Sequence, residues 1–272
     1  MLLPELREAS ACFVAVDRDA GRVIGAAGKS RALRVEPPEG PGVTVHVILP
    51  WRGLGVGRRL MECIEAVAVD EHVRALYSMR RVEFGSEAEQ AWCKLGFSRH
   101  ETVETQRLPL DEFEPRLAPL LERMQSRIPA NAQIIPLYRS NLPAVLQLHL
   151  DNLGGDRGEV YRKLRGNGVA AYHPRYSRVL LVDDRVVGCI LAHRKDGETA
   201  IVDADIVDPT LRGGWANVWL KLDATRGALR LGIRNFEYTT FDRYADTRSF
   251  TKKLGGITVE TTVLMMKRLA AQ

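Results

Sequence analysis

Residues 45–67 read VHVILPWRGLGVGRRLMECIEAV. An apolar, strand-forming run ends at Pro50, Arg52 follows, and glycines stand at 53, 55 and 57. From Val56 onward Leu60, Cys63, Ile64 and Val67 recur at spacings of three and four, which is one face of an amphipathic helix. The glycines therefore sit where a strand hands over to a helix. Unpaired N–H groups at a helix start point outward with the positive end of the helix dipole behind them, so such a turn can hold an anion. Glycine at 55 and 57 keeps a Cβ from holding that anion away, and Arg52, Arg58 and Arg59 add positive charge.

The flanks continue the pattern. ACFVAVDRDAGRVIGAAG (11–28) is a hairpin signal, two apolar runs around a turn at Asp17 to Gly21. A proline-rich loop, EPPEGPG, leads into the strand VTVHVIL. Beyond the helix, ALYSMR reads as a strand, SEAEQAWCKLGF as a helix capped by Ser86 and closed by Gly96, and HETVETQRL as a further strand. Between Pro109 and Pro129 apolar residues recur at helical spacings, with Pro115 and Pro119 expected to limit that helix on its early side.

The second half repeats the first. RVLLVDDRVVGCILAH carries the same hairpin pattern, GRVIGAAG matches DRVVGCIL, and WCKLGF matches TKKLGG. Val47 and Val207, Arg52 and Arg212, Leu60 and Leu220 each stand 160 positions apart. A constant offset in matching order predicts a duplicated domain. The second turn, PTLRGGWANVWL, has Trp215 and Asn217 in the places of Gly55 and Gly57, and the tryptophan is expected to obstruct approach to the backbone.

Two phosphate-binding patterns do not fit. GAAGKS (25–30) has two residues between its glycines where a Walker loop needs four. A dinucleotide fingerprint would need a third glycine where Arg58 stands. The turn instead resembles the signature of the GNAT acetyltransferase superfamily: arginine or glutamine, two residues, glycine, one residue, glycine or alanine. Arg52 to Gly57 matches every position, and WCKLGF stands where that family has Tyr-x-Lys-Leu-Gly-Phe.

The resemblance implies a mixed α/β fold, two tandem GNAT-like domains, each a twisted sheet flanked by helices on both sides. Residues 1–110 would form a first domain with the intact loop and a shortened N-terminus, 111–130 a connecting helix, and 131–272 a second domain with acceptor-side elements in Ala132–Arg165. It implies acetyl-CoA as cosubstrate, its pantetheine arm along Val45, Val47 and Leu49 and its pyrophosphate at Arg52, Gly53, Leu54, Gly55, Val56, Gly57 and Arg58. It also implies acetyl transfer to the amine of a small molecule or peptide, with no metal.

A base is expected on the central strand of each copy: His46 in the first, and Asp203 in the second, where strand alternation puts Asp203 and Asp205 on one face. The family's tyrosine acid is replaced by Trp92 and by Thr251, with Cys93 and Tyr77 as substitutes in the first copy. Those replacements and the altered second loop leave a rival reading, a non-catalytic acyl-CoA-binding protein.

Composition sets the remaining bounds. The chain has 272 residues, 45% of them hydrophobic and 27% charged, and holds no apolar run approaching the roughly 20 residues that span a bilayer. MLLPELREAS carries Pro4, Glu5 and Glu8 where a signal peptide would be apolar, which predicts a cytoplasmic protein. Cys12, Cys63, Cys93 and Cys189 are scattered singly and read as reduced core thiols. The net charge of +5 is spread over 39 basic and 34 acidic residues rather than gathered in a block. With no recognisable binding module beside it, this charge does not point to nucleic acid. The acceptor amine and the oligomeric state are not selected by the residues.

Overall fold

The computed structural model describes residues 9–34, 39–168, 170–241 and 253–269. In chain order its strands are β1 (Ala9–Asp17), β2 (Arg22–Arg34), β3 (Gly40–Val47), β4 (Ala75–Ser78), β5 (Val82–Glu83), β6 (Ser98–Pro109), β7 (Ala132–Pro136), β8 (Arg178–Val182), β9 (Arg185–Arg194), β10 (Thr199–Val207), β11 (Asn235–Phe241) and β12 (Ile257–Arg268). The helices are α1 (Val56–Asp70), α2 (Glu87–Lys94), α3 (Leu110–Met124), α4 (Leu142–Leu153), α5 (Arg157–Leu164) and α6 (Trp215–Leu229). The chain divides into two compact units, residues 1–103 with 260–272, and residues 104–259.

In the first unit β1 and β2 form the expected hairpin, and β3 pairs antiparallel with β2, so that Phe13, Ala27 and Val45 stand side by side. The buried stripe of α1, Leu60, Met61, Ile64 and Ala68, closes the core over Ala27 and Val43 of these strands. Ser86 caps α2 by accepting a hydrogen bond from the Glu89 N–H, and Gly96 follows the helix at φ 86°. β4 pairs on one side with β3, in parallel, and on the other with β12, where Met266 faces Tyr77.

In the second unit β7–β8–β9–β10 pair antiparallel in sequence order, and β10 pairs in parallel with β11. Alternate strand residues feed two cores. Val179, Cys189 and Leu191 lie under α4 and α5, whereas Leu180, Ile190 and Ala192 lie under α3 and α6. Each unit is thus a mixed sheet carrying helices.

Three expectations are corrected by this arrangement. The boundaries at 110 and 130 give way to others. Residues from Glu260 on complete the sheet of the first unit beside β4, and α3 is part of the second unit's core through Leu110, Phe113 and Leu117. Pro115 and Pro119 lie inside α3 rather than at its start. Burial of that apolar stripe outweighs the hydrogen bonds the prolines remove. Of the four expected core thiols only Cys189 is buried, and Cys12, Cys63 and Cys93 are exposed.

Candidate active site

The geometry of the first glycine turn follows from where β3 loses its neighbour. Val43 O accepts from Met79 N at 2.7 Å on the β4 side, and Ile48 N donates to Ile24 O at 3.0 Å on the β2 side. Alternation therefore turns the main-chain groups of Val45 and Val47 toward the β4 side. β4, however, pairs with β3 only at Gly42 and Val43. From Val45 onward the edge has no strand partner, and a side chain, Arg52, meets it at Val47 O.

The chain then passes through a short 3-10 turn, Leu49–Trp51, and reaches Gly53 at φ 79° and Gly55 at φ 83°. Both angles lie in the left-handed region, which explains glycine there. Gly55 is the N-cap of α1 and supplies no capping side chain, so the first N–H groups of the helix have no side-chain partner from it. Arg52 Nε donates to Val47 O at 2.9 Å and ties the turn to the strand. A Cβ on Gly57 would meet the methyl groups of Val47 and Val45 at 3.7 and 3.8 Å, so the helix start lies directly over the open edge. Leu49 and Leu54 are 74% and 68% exposed at the rim, and Val56 and Arg58 complete the turn. The ten residues expected to hold a cofactor are thus brought together.

The second turn repeats part of this. Arg212 Nε donates to Val207 O at 3.2 Å, and Gly213 has φ 69°. Gly214 is extended at φ −114°, so α6 begins at Trp215, one residue earlier in the repeat than α1. Trp215 is 8% exposed and packed in the core, so it does not lie over the turn, contrary to the sequence expectation. The change lies deeper. Lys221 Nζ donates to Asn217 Oδ1 at 2.6 Å and stands 2.5 Å from Asp205 Oδ2. These three polar residues replace Gly57, Met61 and Val45 of the first copy.

Residues 2–97 match the model of the acetyltransferase (GNAT) family. The match covers about a third of the chain. The whole chain also has the fold of solved GNAT proteins. A GCN5-related N-acetyltransferase from Sphaerobacter thermophilus aligns over 98% of this chain and 83% of its own, with TM-score 0.63 and 16% identity. A tandem GNAT protein from the clavulanic acid biosynthesis pathway aligns over 96% and 84%, with TM-score 0.55 and 18% identity. No curated protein matches the chain.

His46 is exposed, on the face opposite Val45 and Val47, which pack toward α1. Trp92 packs edge-on against Phe97, 4.6 Å between ring centroids, and Tyr77 is fully buried beside His100. Cys93 lines a shallow depression with Glu89, Lys94 and Arg99. Thr251 lies outside the described residues. Among the described residues no helix is long and apolar enough to cross a membrane, and no group of three His, Cys, Asp or Glu side chains is placed to hold a metal.

Asp203 and Asp205 do not share a face. The register of β10 against β9 slips between Val202 and Ala204, a bulge that turns Asp203 toward α5 while Asp205 faces Lys221 of α6. Around Asp203 gather residues that sequence reading did not single out. His193 Nδ1 lies 3.3 Å from Asp203 Oδ2, a close approach without the alignment of a hydrogen bond, and Lys163 Nζ lies 3.6 Å away. Burial and the nearby Asp203 carboxylate, which also accepts a hydrogen bond from it, hold the Tyr172 hydroxyl protonated well above its ordinary range. His149, on α4, is buried with Nδ1 unpartnered, and burial pushes its pKa down. These residues come from α4, α5, a loop and two strands, so no local sequence pattern joins them.

Proposed function

We propose that this chain is an acetyl-CoA-dependent N-acetyltransferase built as a tandem of two GNAT-like domains, with the cosubstrate held by the first unit. The observation that carries the reading is the turn from Arg52 to Gly57 set over an open strand edge at Val45 and Val47. That edge can hydrogen-bond an extended amide-bearing arm as an added strand would, and the uncapped N–H groups of α1 can receive the pyrophosphate. The amine of a small molecule or peptide attacks the thioester carbonyl. The new C–N bond replaces the C–S bond, and the thiolate leaves. His46, on the exposed face of the strand that carries this edge, is the proposed acceptor of the amine's proton. The free thiols fit a reducing, cytoplasmic setting.

A second reading, acyl-CoA binding without transfer, is favoured by Trp92, whose ring is packed on Phe97 and has no proton to give a thiolate at the position of the family's tyrosine. One pair of measurements tests both. Acetyl-CoA is titrated calorimetrically into the intact chain and into Gly55→Trp, and thiol release is followed with a panel of amines. Binding weakened at least tenfold in the variant, with thiol release for some amine, is the expected result. Unchanged affinity in Gly55→Trp would overturn the cradle, and binding without thiol release for any amine would leave the second reading.

A further inference from the structure

The second unit carries a cluster that acetyl transfer at the first glycine turn does not use. Asp203, on its bulge, is 26% exposed and Lys163, on α5, is 25% exposed, and their charged atoms stand 3.6 Å apart. That separation is longer than a direct hydrogen bond. The other carboxylate near Lys163, Glu159, is 3.7 Å off, so neither ion pair engages the ammonium at hydrogen-bond distance. The Lys163 ammonium also lies 5.9 Å from the centre of the Tyr172 ring, which helps to place it. His149, more than nine-tenths buried, lies within reach of both charges and has an unpartnered Nδ1, and an unpaired buried nitrogen of this kind is costly unless something meets it.

We propose that this cluster is a binding site for a small zwitterion, a free amino acid, whose ammonium is taken by Asp203 and whose carboxylate is taken by Lys163. Asp203 and Lys163 neutralise each other, and the imidazole of His149 is held neutral by burial. A ligand carrying only one charge leaves one member of the pair uncompensated in a half-buried setting. A ligand carrying both replaces one long ion pair with two short, hydrogen-bonded ones. Tyr172 keeps its proton beside Asp203, so it adds no second negative charge to the site. The first unit pairs Lys29 with Val43 where this one pairs Ala192 with Val202, so the bulge residue Asp203 has no counterpart there, and Ser30 stands in the place of His193; the site belongs to the second unit alone.

The test is calorimetry on the intact chain without acetyl-CoA, using each of the twenty common amino acids. For any that binds, the amine lacking its carboxylate and the acid lacking its amine are then compared. The proposal expects both analogues to bind at least about tenfold more weakly than the parent. It expects Lys163→Met to weaken the amino acid about tenfold while leaving the amine analogue unaffected, and Asp203→Asn to weaken both. Lys163 is on a helix surface, so that variant folds even where Asp203→Asn does not. Binding by none of the twenty, an analogue as tight as its parent, or unchanged affinity in Lys163→Met would overturn it. The site does not rest on the acetyl-CoA reading: a chain that binds an amino acid and no acetyl-CoA supports this inference and sinks that one.

Discussion

Arg52 donates through Nε to the main-chain oxygen of Val47 at 2.9 Å, and 160 residues further on Arg212 does the same to Val207 at 3.2 Å. The bond survives in the copy whose glycines have changed, so the arginine first closes the turn and only then lends charge. A lysine keeps the charge but has neither the Nε donor nor the planar fork. Arg52→Lys is therefore expected to loosen the turn and weaken acetyl-CoA about tenfold, roughly 1.4 kcal/mol. Arg212→Lys should leave that affinity unchanged and lower stability by about 1 kcal/mol or less. Calorimetry and melting of both variants decide it, and equal losses of affinity would show that the two turns share one task.

Gly55 and Gly57 differ in what they require. Gly55 has φ 83° with open space around its Cβ position, and Gly57 lies within the helix facing Val45 and Val47 at ordinary contact distance. Gly55→Ala is expected to lower stability by about 1–2 kcal/mol through backbone strain alone. Gly57→Ala should melt at the same temperature or higher, since alanine is the better helix former by up to about 1 kcal/mol, and should bind acetyl-CoA within about threefold. Gly57→Asn, the residue of the second copy, should stay folded and lose at least about tenfold in affinity, because its side chain enters the space over the open edge. Thermal melts paired with calorimetry separate the three.

Much of this was legible because it is local. The strand, glycine turn and helix of residues 45–67, the Ser86 cap and the duplicated hairpins all rest on neighbours in sequence. What escaped depends on partners far along the chain. The slip of β10 against β9 that swings Asp203 away from Asp205 is invisible to an alternating pattern. Pro115 and Pro119 read as limits on a helix whose packed face overrides them. Trp215 read as an obstruction and is a core residue, because the helix begins one position earlier. His149, Lys163, Tyr172 and His193 meet at Asp203 only once the second unit is folded.

Glu237 supplies a pH test. Its side chain is 3% exposed, with Arg107 on one oxygen at 2.6 Å and Lys195 on the other at 2.7 Å. Burial pushes this carboxyl up, but the hydrogen bonds from Lys195 and Arg107 outweigh it and hold it below the ordinary glutamate value. A depressed folded pKa gives stability that is present above the unfolded pKa and is lost as pH falls through the folded one. The second unit should therefore lose stability below about pH 4.3, the ordinary glutamate value. Glu237→Gln should cost roughly 2–3 kcal/mol at pH 7, less than the ~3–5 of a fully buried pair because both cations are partly exposed, and should show a flatter acid limb. Denaturant melts from pH 7 to pH 3 would show it, and parallel pH curves for the two proteins would refute it.

Trp92 decides between a substituted acid and a packing residue. Its ring meets Phe97 edge-on at 4.6 Å, and it belongs to the core beneath α1 with Leu95. If its role is packing, Trp92→Phe keeps the aromatic contact and lowers stability by less than about 1.5 kcal/mol. Trp92→Ala loses about 2–3 kcal/mol, short of the ~3–5 of a fully buried aromatic because the residue is partly exposed. Neither change should alter the pH dependence of thiol release from acetyl-CoA with an amine that supports it, since the indole carries no proton that titrates in that range. A Trp92→Phe variant that folds normally but shifts the alkaline limb of that profile would instead place the ring in the path of the departing thiolate.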